Sequence, residues 1–206
     1  MIIKNEHYDI AIAGGGISGL MCAYRLTEKH PELKIALVEK GTSLDRRKCP
    51  ILEKKVPSCI RCKYCAIMEG MAGAGAFSDG KYVISTEYGG WLTDLMPDET
   101  VINYIEQADS ILVSFGASTE RFMPDNELKR LALKYDLHMA QAQLKHFGTD
   151  GNREMMGKMI ACLSERITIY TETEVTDIDR EAHRLKCKTR DGRLDLTADR
   201  IILALG

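Results

Sequence analysis

Tyr8-Asp9-Ile10-Ala11-Ile12-Ala13 runs into Gly14-Gly15-Gly16-Ile17-Ser18-Gly19, and a helix-like stretch then leads to Lys34-Ile35-Ala36-Leu37-Val38-Glu39. The order is strand, glycine turn, helix, strand and acid, and each part has a separate physical job. Gly14 permits a tight turn, Gly16 lets the backbone approach a pyrophosphate, and Gly19 lets the helix pack closely on the strand. The helix from Ile17 aims its unsatisfied N–H groups and positive dipole end at an anion, so Ile17 and Ser18 join the glycines as expected phosphate contacts. Glu39, about twenty residues past the last glycine, is placed to accept hydrogen bonds from ribose hydroxyls, with Lys40 beside it. An acid there favours FAD or NAD over a 2'-phosphate. The plainer alternative is a glycine-rich loop between buried elements, which leaves the register of strand, helix and acid unexplained.

The 206 residues suffice for one large domain or a domain with an insertion, and an apolar fraction of 45% supports a proper core. With 28 basic and 30 acidic residues there is no excess charge to neutralise a nucleic-acid backbone, so nucleic acid is not the expected partner. No run approaches the ~20 apolar residues of a membrane span, and the N-terminus shows no secretion signal, which points to the cytoplasm. Seven cysteines in that setting read as thiols, metal ligands or redox groups rather than a disulfide framework.

Outward from the opening unit, Gly41 to Lys81 is a long connection of Pro, Gly, Cys and basic residues without sustained period, and such loops are usually functional or disordered. From Pro97 the spacing predicts a helix through Val101, Ile105, Ala108, Leu112 and Phe115, stopped by Gly116. A second helix is expected over Asn126 to Lys134, a strand-like stretch over Leu137 to Phe147, and a third helix from about Asn152 to Arg166 with Asp150 as cap and Met155, Met156 and Met159 as core filling. Beyond Ile167 the period is two: one long strand to Ile178, then Arg184–Thr189 and Arg193–Thr197 around the Asp191-Gly192 turn, an antiparallel meander. Arg200 to Gly206 reads as a separate strand buried on both faces. The fold class is therefore α/β, with a Rossmann-like parallel sheet, an antiparallel meander crossover and a partly helical insertion. Residues 1–90 and 150–206 form the nucleotide-binding part and 91–149 the insertion or the start of a substrate domain.

This order of parts resembles FAD-binding oxidoreductases of the glutathione-reductase-like fold. More narrowly, the run Cys65 to Lys81, with Gly73-Ala74-Gly75-Ala76-Phe77-Ser78-Asp79-Gly80-Lys81 at its end, together with Gly89-Gly90 and His146-Phe147-Gly148-Thr149-Asp150-Gly151, is similar to a bacterial group of uncharacterised FAD-dependent dehydrogenases. The resemblance implies FAD as cofactor, with Gly14, Gly16 and Gly19 at the pyrophosphate and Glu39 at the adenosine ribose. It further implies Val175 at the adenine, Ala204 to Gly206 returning to the diphosphate, and Gly73, Ala74, Gly75 and Ser78 close to the isoalloxazine. Proteins of that group continue well past the last strand, so a truncated chain is expected, with weakened FAD retention.

Cys59-x-x-Cys62-x-x-Cys65, with Cys49-Pro50 upstream, is the second chemically loaded feature. Three readings fit its spacing: thiolates converging on a [4Fe-4S] centre, a tetrahedral zinc site, or a dithiol that relays electrons to a flavin. Reduced cysteines in a surface loop are the fourth. Arg46, Arg47, Lys48, Lys54, Lys55, Arg61 and Lys63 surround the cluster as a positive halo or a solvated face. Cys22, Cys162 and Cys187 read as core packing. His146 is the candidate proton donor, since imidazole titrates near neutral pH, against a satisfied structural histidine.

The expectation is thus an FAD-dependent oxidoreductase acting on a small-molecule substrate or redox donor, with NAD(P)H as a possible second nucleotide. The rivals are an NAD-binding dehydrogenase and a non-enzymatic zinc or iron-sulfur interaction module on a nucleotide-binding scaffold.

Overall fold

In the computed structural model, which describes residues 3–87, 89–140 and 142–206, the opening stretch forms β1 (Ile3–Ala13), α1 (Ile17–Lys29) and β2 (Ile35–Val38). There follow β3 (Lys81–Ile84), α2 (Asp98–Ser114), α3 (Asn126–Lys134), β4 (Gln143–His146), α4 (Thr149–Ser164), β5 (Thr168–Tyr170), β6 (Glu174–Asp179), β7 (Arg184–Lys188) and β8 (Arg193–Leu203). Two compact units result, the first running through Phe77 and resuming at Met156, the second covering Ser78–Met155.

The first unit is built on a six-stranded sheet in the order β5-β2-β1-β8-β7-β6. Its first four strands are mutually parallel, and β8, β7 and β6 form the antiparallel meander. Every residue of β2 is buried, and Ala11, Ile12 and Ala13 of β1 expose nothing, as strands covered on both faces require. Tyr8, Ala13, Val38, Leu185, Leu194 and Leu196 belong to one buried cluster, which joins the parallel strands to the meander. Each fully buried leucine or isoleucine there contributes roughly 1.5–3 kcal/mol relative to exposure. At the edge, the Tyr8 and Tyr170 hydroxyls lie 2.7 Å apart and each is within 2.9 Å of Glu6 Oε2, so one hydroxyl donates to the carboxylate and the other donates to it or to its neighbouring hydroxyl.

Two expectations about the strands are corrected. The stretch Ile167 to Ile178 is two strands lying at opposite edges of the sheet, because the chain turns at Glu172 (φ 51). There the Glu172 N–H donates to Gly41 O and the Thr173 N–H to Glu39 O, so the backbone groups that would continue β5 are spent on the segment after β2. Conversely, Arg193–Thr197 and the run from Arg200 are one strand, since β1 is long enough to pair with β8 from Arg193 to Leu203. Nor is the end of that strand buried on both faces. β7 pairs with β8 only as far as Thr197, Ile201 and Ile202 are half-buried, and Leu203 is 57% exposed.

In the second unit β3 and β4 pair antiparallel, Lys81 opposite His146 and Ile84 opposite Gln143. The sequence showed a strand over Leu137–Phe147 and none at β3. Both strands have four residues, too short for a period to register, and their pairing spans about sixty positions of chain. This pairing also places residues 78–90 in the helical unit. The helices α2 and α3 follow their sequence signals, and Asp125 caps α3 by accepting from the Glu127 N–H at 3.1 Å. Asp150 is not a cap: α4 begins at Thr149, and Asp150 sits in its first turn, where a carboxylate favours the positive end of the helix. Met155, Met156, Met159 and Leu163 are buried, as core filling requires. A buried ion network joins this unit's elements. Lys145 Nζ donates to both Asp109 oxygens at 2.6 and 2.7 Å, and Arg121 bridges Asp109 to Glu106.

Among the described residues no helix is long and apolar enough to cross a membrane.

Candidate functional site

At the carboxyl ends of β1, β2 and β8 the chain leaves the sheet on both sides of β1. Gly14 N–H donates to Val38 O and Ala204 N–H to Ala13 O, both at 2.8 Å, so the three strand ends are locked together just below a cleft of about 690 Å³. This is the switch point of an open α/β sheet, where loops part and ligands bind.

The three fingerprint glycines divide the work differently. Gly14 adopts φ +110, and a Cβ there would fall 2.3 Å from Ala204 O. Gly19 is absent from the cleft wall; its Cβ would fall 2.0 Å from Gly14 O, so it lets α1 close on the turn. Both are demanded by the protein's own packing. Gly16 is not: a Cβ there meets no protein atom within 4 Å, yet Gly16 lines the cleft with Ile17 and Ser18. Gly16 is also the N-cap of α1, with extended backbone, no side-chain cap and no acid in the first turn. The first N–H groups of α1 therefore lack a side-chain acceptor and face the cleft, the donor arrangement that suits a phosphate.

Glu39 lines the cleft but has a further task that its sequence position does not reveal. The side chain is buried, and its carboxylate accepts from Gly15 N at 2.8 Å, Gly41 N at 2.8 Å and Gly70 N at 3.1 Å. Of the roughly four acceptor positions of a carboxylate, three hold the phosphate turn, the end of β2 and the loop at Gly70 in register. About one remains for a ribose hydroxyl.

The residue that sequence reasoning missed is Arg47. Expected in the positive halo of the cysteines, it is instead 1% exposed. Its guanidinium donates to four carbonyls: Ala66 (2.9 Å), Ile67 (2.8 Å), Met71 (2.8 Å) and Gly73 (2.7 Å), and it lies 4.8 Å from the centre of the Phe77 ring. These contacts fold the loop from Ala66 to Gly75 against the phosphate turn, with Ala72 N–H donating to Gly15 O at 2.8 Å. One arginine among seven basic residues carries no sequence mark of burial.

Of the other residues expected at the cofactor, Lys40, Gly73, Ala74, Gly75, Val175, Ala204 and Gly206 all line the cleft. Met68, Glu69, Gly70, Ala72, Thr173 and Glu174 line it as well and were not expected. Ala72 and Glu174 adjoin expected positions, whereas Met68, Glu69, Gly70 and Thr173 are brought in by the curl of the loop and the β5–β6 turn. Ser78 belongs to the second unit, where its Oγ accepts from the Gly80 N–H at 3.2 Å. His146 is exposed on β4 of the second unit, opposite Lys81.

The cysteines stand apart from it too. Cys49 and Cys65 are half-buried, Cys59 and Cys62 exposed, and all are free thiols. Among the described residues no three His, Cys, Asp or Glu side chains converge as a metal would need. The segment runs as successive turns and bends. Cys65 lines a neighbouring cleft of about 480 Å³ with Lys63, Lys188 and Arg190. Of the three cysteines expected in the core, Cys187 is buried there, while Cys22 and Cys162 are half-buried; burial pushes the Cys22 and Cys187 thiols up, Cys187 to about 12.

The chain is similar over short stretches to curated proteins. It is 50% identical over 40 residues to mitochondrial L-2-hydroxyglutarate dehydrogenase of Nematostella vectensis, a match covering 19% of this chain and 9% of that protein. Among solved structures, Mycobacterium smegmatis Sdh1 aligns with 98% of this chain at 14% identity and a TM-score of 0.58, over 34% of its own length. The E. coli quinol fumarate reductase FrdA aligns with 98% at 13% identity and the same TM-score of 0.58, over 33% of its length. These likenesses show a shared fold, and the chain spans about a third of each of those structures. The sequence pattern of the pyridine nucleotide-disulphide oxidoreductases matches residues 8–206, nearly the whole chain, and the protein belongs to that family.

Proposed function

We propose that this chain is the nucleotide-binding portion of an FAD-dependent oxidoreductase and holds FAD in the cleft above β1. The observation that carries the reading is the open space at Gly16 beside the uncapped start of α1. A glycine whose Cβ would meet no protein atom, placed where N–H groups lack a side-chain acceptor, leaves room for a ligand's anionic centre. Membership in an oxidoreductase family supports the same conclusion.

FAD, when bound, supplies hydride and electron transfer. The chain's own residues do the holding. Gly16, Ile17 and Ser18 offer main-chain donors to the pyrophosphate, and the helix dipole adds its positive end. Glu39 keeps one acceptor position for the adenosine ribose while it fixes the walls around it. Val175 lies with Thr173 and Glu174 along the adenosine end of the cleft, and Gly73 to Gly75 bring small residues along the other side, where backbone can approach the cofactor closely. The cleft is open, so exclusion of water from the reacting end falls to chain beyond these walls.

Titration of the chain with FAD, followed by flavin fluorescence anisotropy, tests this. Saturable binding is expected, with NADH competing poorly, and Gly16→Val weakening FAD by about tenfold or more. Binding of NADH without FAD, or Gly16→Val retaining FAD as the wild type does, overturns the reading.

A further inference from the structure

We infer that Arg47 is a positioning residue for the cofactor, and that the donor it positions is the backbone N–H of Ala74. The inference rests on the FAD reading above. A trans peptide is planar, with its C=O and N–H pointing in opposite directions. Arg47 Nη1 donates to both Met71 O (2.8 Å) and Gly73 O (2.7 Å), so it sets the direction of the N–H on the far side of each of those two peptides.

For the Met71–Ala72 peptide the consequence is visible: the Ala72 N–H points away from the guanidinium and donates to Gly15 O at 2.8 Å. This ties the loop to the phosphate turn. For the Gly73–Ala74 peptide the same geometry turns the Ala74 N–H away from Arg47. Arg47 is buried and does not line the cleft, whereas Gly73 and Ala74 do. Among the described residues the Ala74 N–H meets no acceptor. A donor aimed out of the wall of an anion-binding cleft and left open by the protein fits an oxygen or nitrogen of the bound dinucleotide.

Backbone strain marks the same spot. Ala72 has φ +71 and Gly73 φ +61. A left-handed alanine is costly and persists only where its surroundings over-determine it, a pattern that clusters at functional sites. The surroundings here are Arg47 on the carbonyl side and Gly15 on the amide side, with Glu39 holding Gly70 N just upstream. A lysine cannot reproduce the arrangement, because its ammonium is one point of donation where the planar fork reaches four carbonyls at once.

Hydrogen exchange resolved at single amides, on wild type and Arg47→Lys, with and without FAD, tests the assignment. In the wild type without FAD, the Ala72 amide is expected to be protected and the Ala74 amide open; FAD then protects Ala74. In Arg47→Lys, Ala72 loses protection, FAD no longer protects Ala74, and FAD affinity falls about tenfold. Amides of β1, β2 and β8 keep their wild-type protection in that variant, which separates positioning from unfolding; Arg47→Met serves as a second variant should Arg47→Lys misfold. An Ala74 amide indifferent to bound FAD, or Arg47→Lys with wild-type affinity and Ala72 protection, overturns the inference and leaves the FAD reading intact. A wild type that binds no FAD overturns both.

Discussion

Replacing Glu39 by glutamine separates the two jobs its carboxylate holds. Glutamine keeps the volume but offers a single oxygen. Its best orientation leaves that oxygen with the Gly41 and Gly70 amides, now held at 2.8 and 3.1 Å by Oε1, and turns an NH2 group toward the Gly15 N–H, now 2.8 Å from Oε2. One buried donor then faces another, and an unsatisfied buried donor costs about 1–3 kcal/mol. The two surviving bonds lose their charge assistance, about 1 kcal/mol each, while the neutral amide is cheaper to bury and offsets part of this. The net is about 2–4 kcal/mol, concentrated on the turn and loop that Glu39 ties together. Hydrogen exchange at Gly15, Gly41 and Gly70, measured without FAD, reads it directly. A loss of about 2 kcal/mol corresponds to a fall in protection of about 30-fold. Amides of β6 and β7, distant in the sheet from β2, should stay within about threefold of wild type. If protection at the three glycines also stays within about threefold, the carboxylate is not the tie described here and serves the ligand alone.

Further outcomes follow from the same contacts. Gly14→Ala should cost the apoprotein about 3 kcal/mol or more in thermal or urea melts, through a positive φ and a Cβ 2.3 Å from Ala204 O, whereas Gly16→Ala should leave those melts unchanged. Equal melts for the two variants would refute the division of labour among the glycines. In the second unit, Asp109→Ala strands the buried Lys145 and should destabilise by about 3–5 kcal/mol, while Lys145→Met leaves Asp109 paired with Arg121 and should cost less; the reverse order in calorimetric melts would count against the network. Cys187 has its thiol raised by burial from 9.0 to about 12. The unfolded chain therefore gives up this proton first, so stability is lost as pH rises from about 9 to about 12, and Cys187→Ala should flatten that alkaline decline. A thiol reagent at neutral pH should label Cys59 and Cys62 in the native protein and Cys187 only after unfolding.

Under the proposed reading, the cleft above β1 takes the cofactor. Two buried side chains do most of the shaping, one acid and one base. Each serves main-chain groups instead of another side chain, Glu39 taking three N–H groups and Arg47 four carbonyls. Between them they hold the loop from Ala66 to Gly73 in one conformation before any ligand arrives, which lowers the ordering cost of binding.

What the sequence by itself determined lies within short range. The β-α-β unit, its glycine turn and the helices α1, α2 and α3 all follow from periods and punctuation that neighbouring residues supply. The glycine turn was legible because its spacing is local, although Gly14 is also demanded by the distant Ala204 O. Tertiary structure decided whatever depends on a distant partner. It parted Ile167–Ile178 into strands at opposite sheet edges, joined Arg193–Leu203 because β1 offers a continuous neighbour, and paired β3 with a β4 some sixty residues away. It also placed Ser78 and His146 in the second unit, left the cysteines unconverged among the described residues, and buried Arg47 out of a run of basic residues that look alike in one dimension. A period reports which face of an element is apolar. It carries no information about which carbonyls a guanidinium will find once the chain has closed around it.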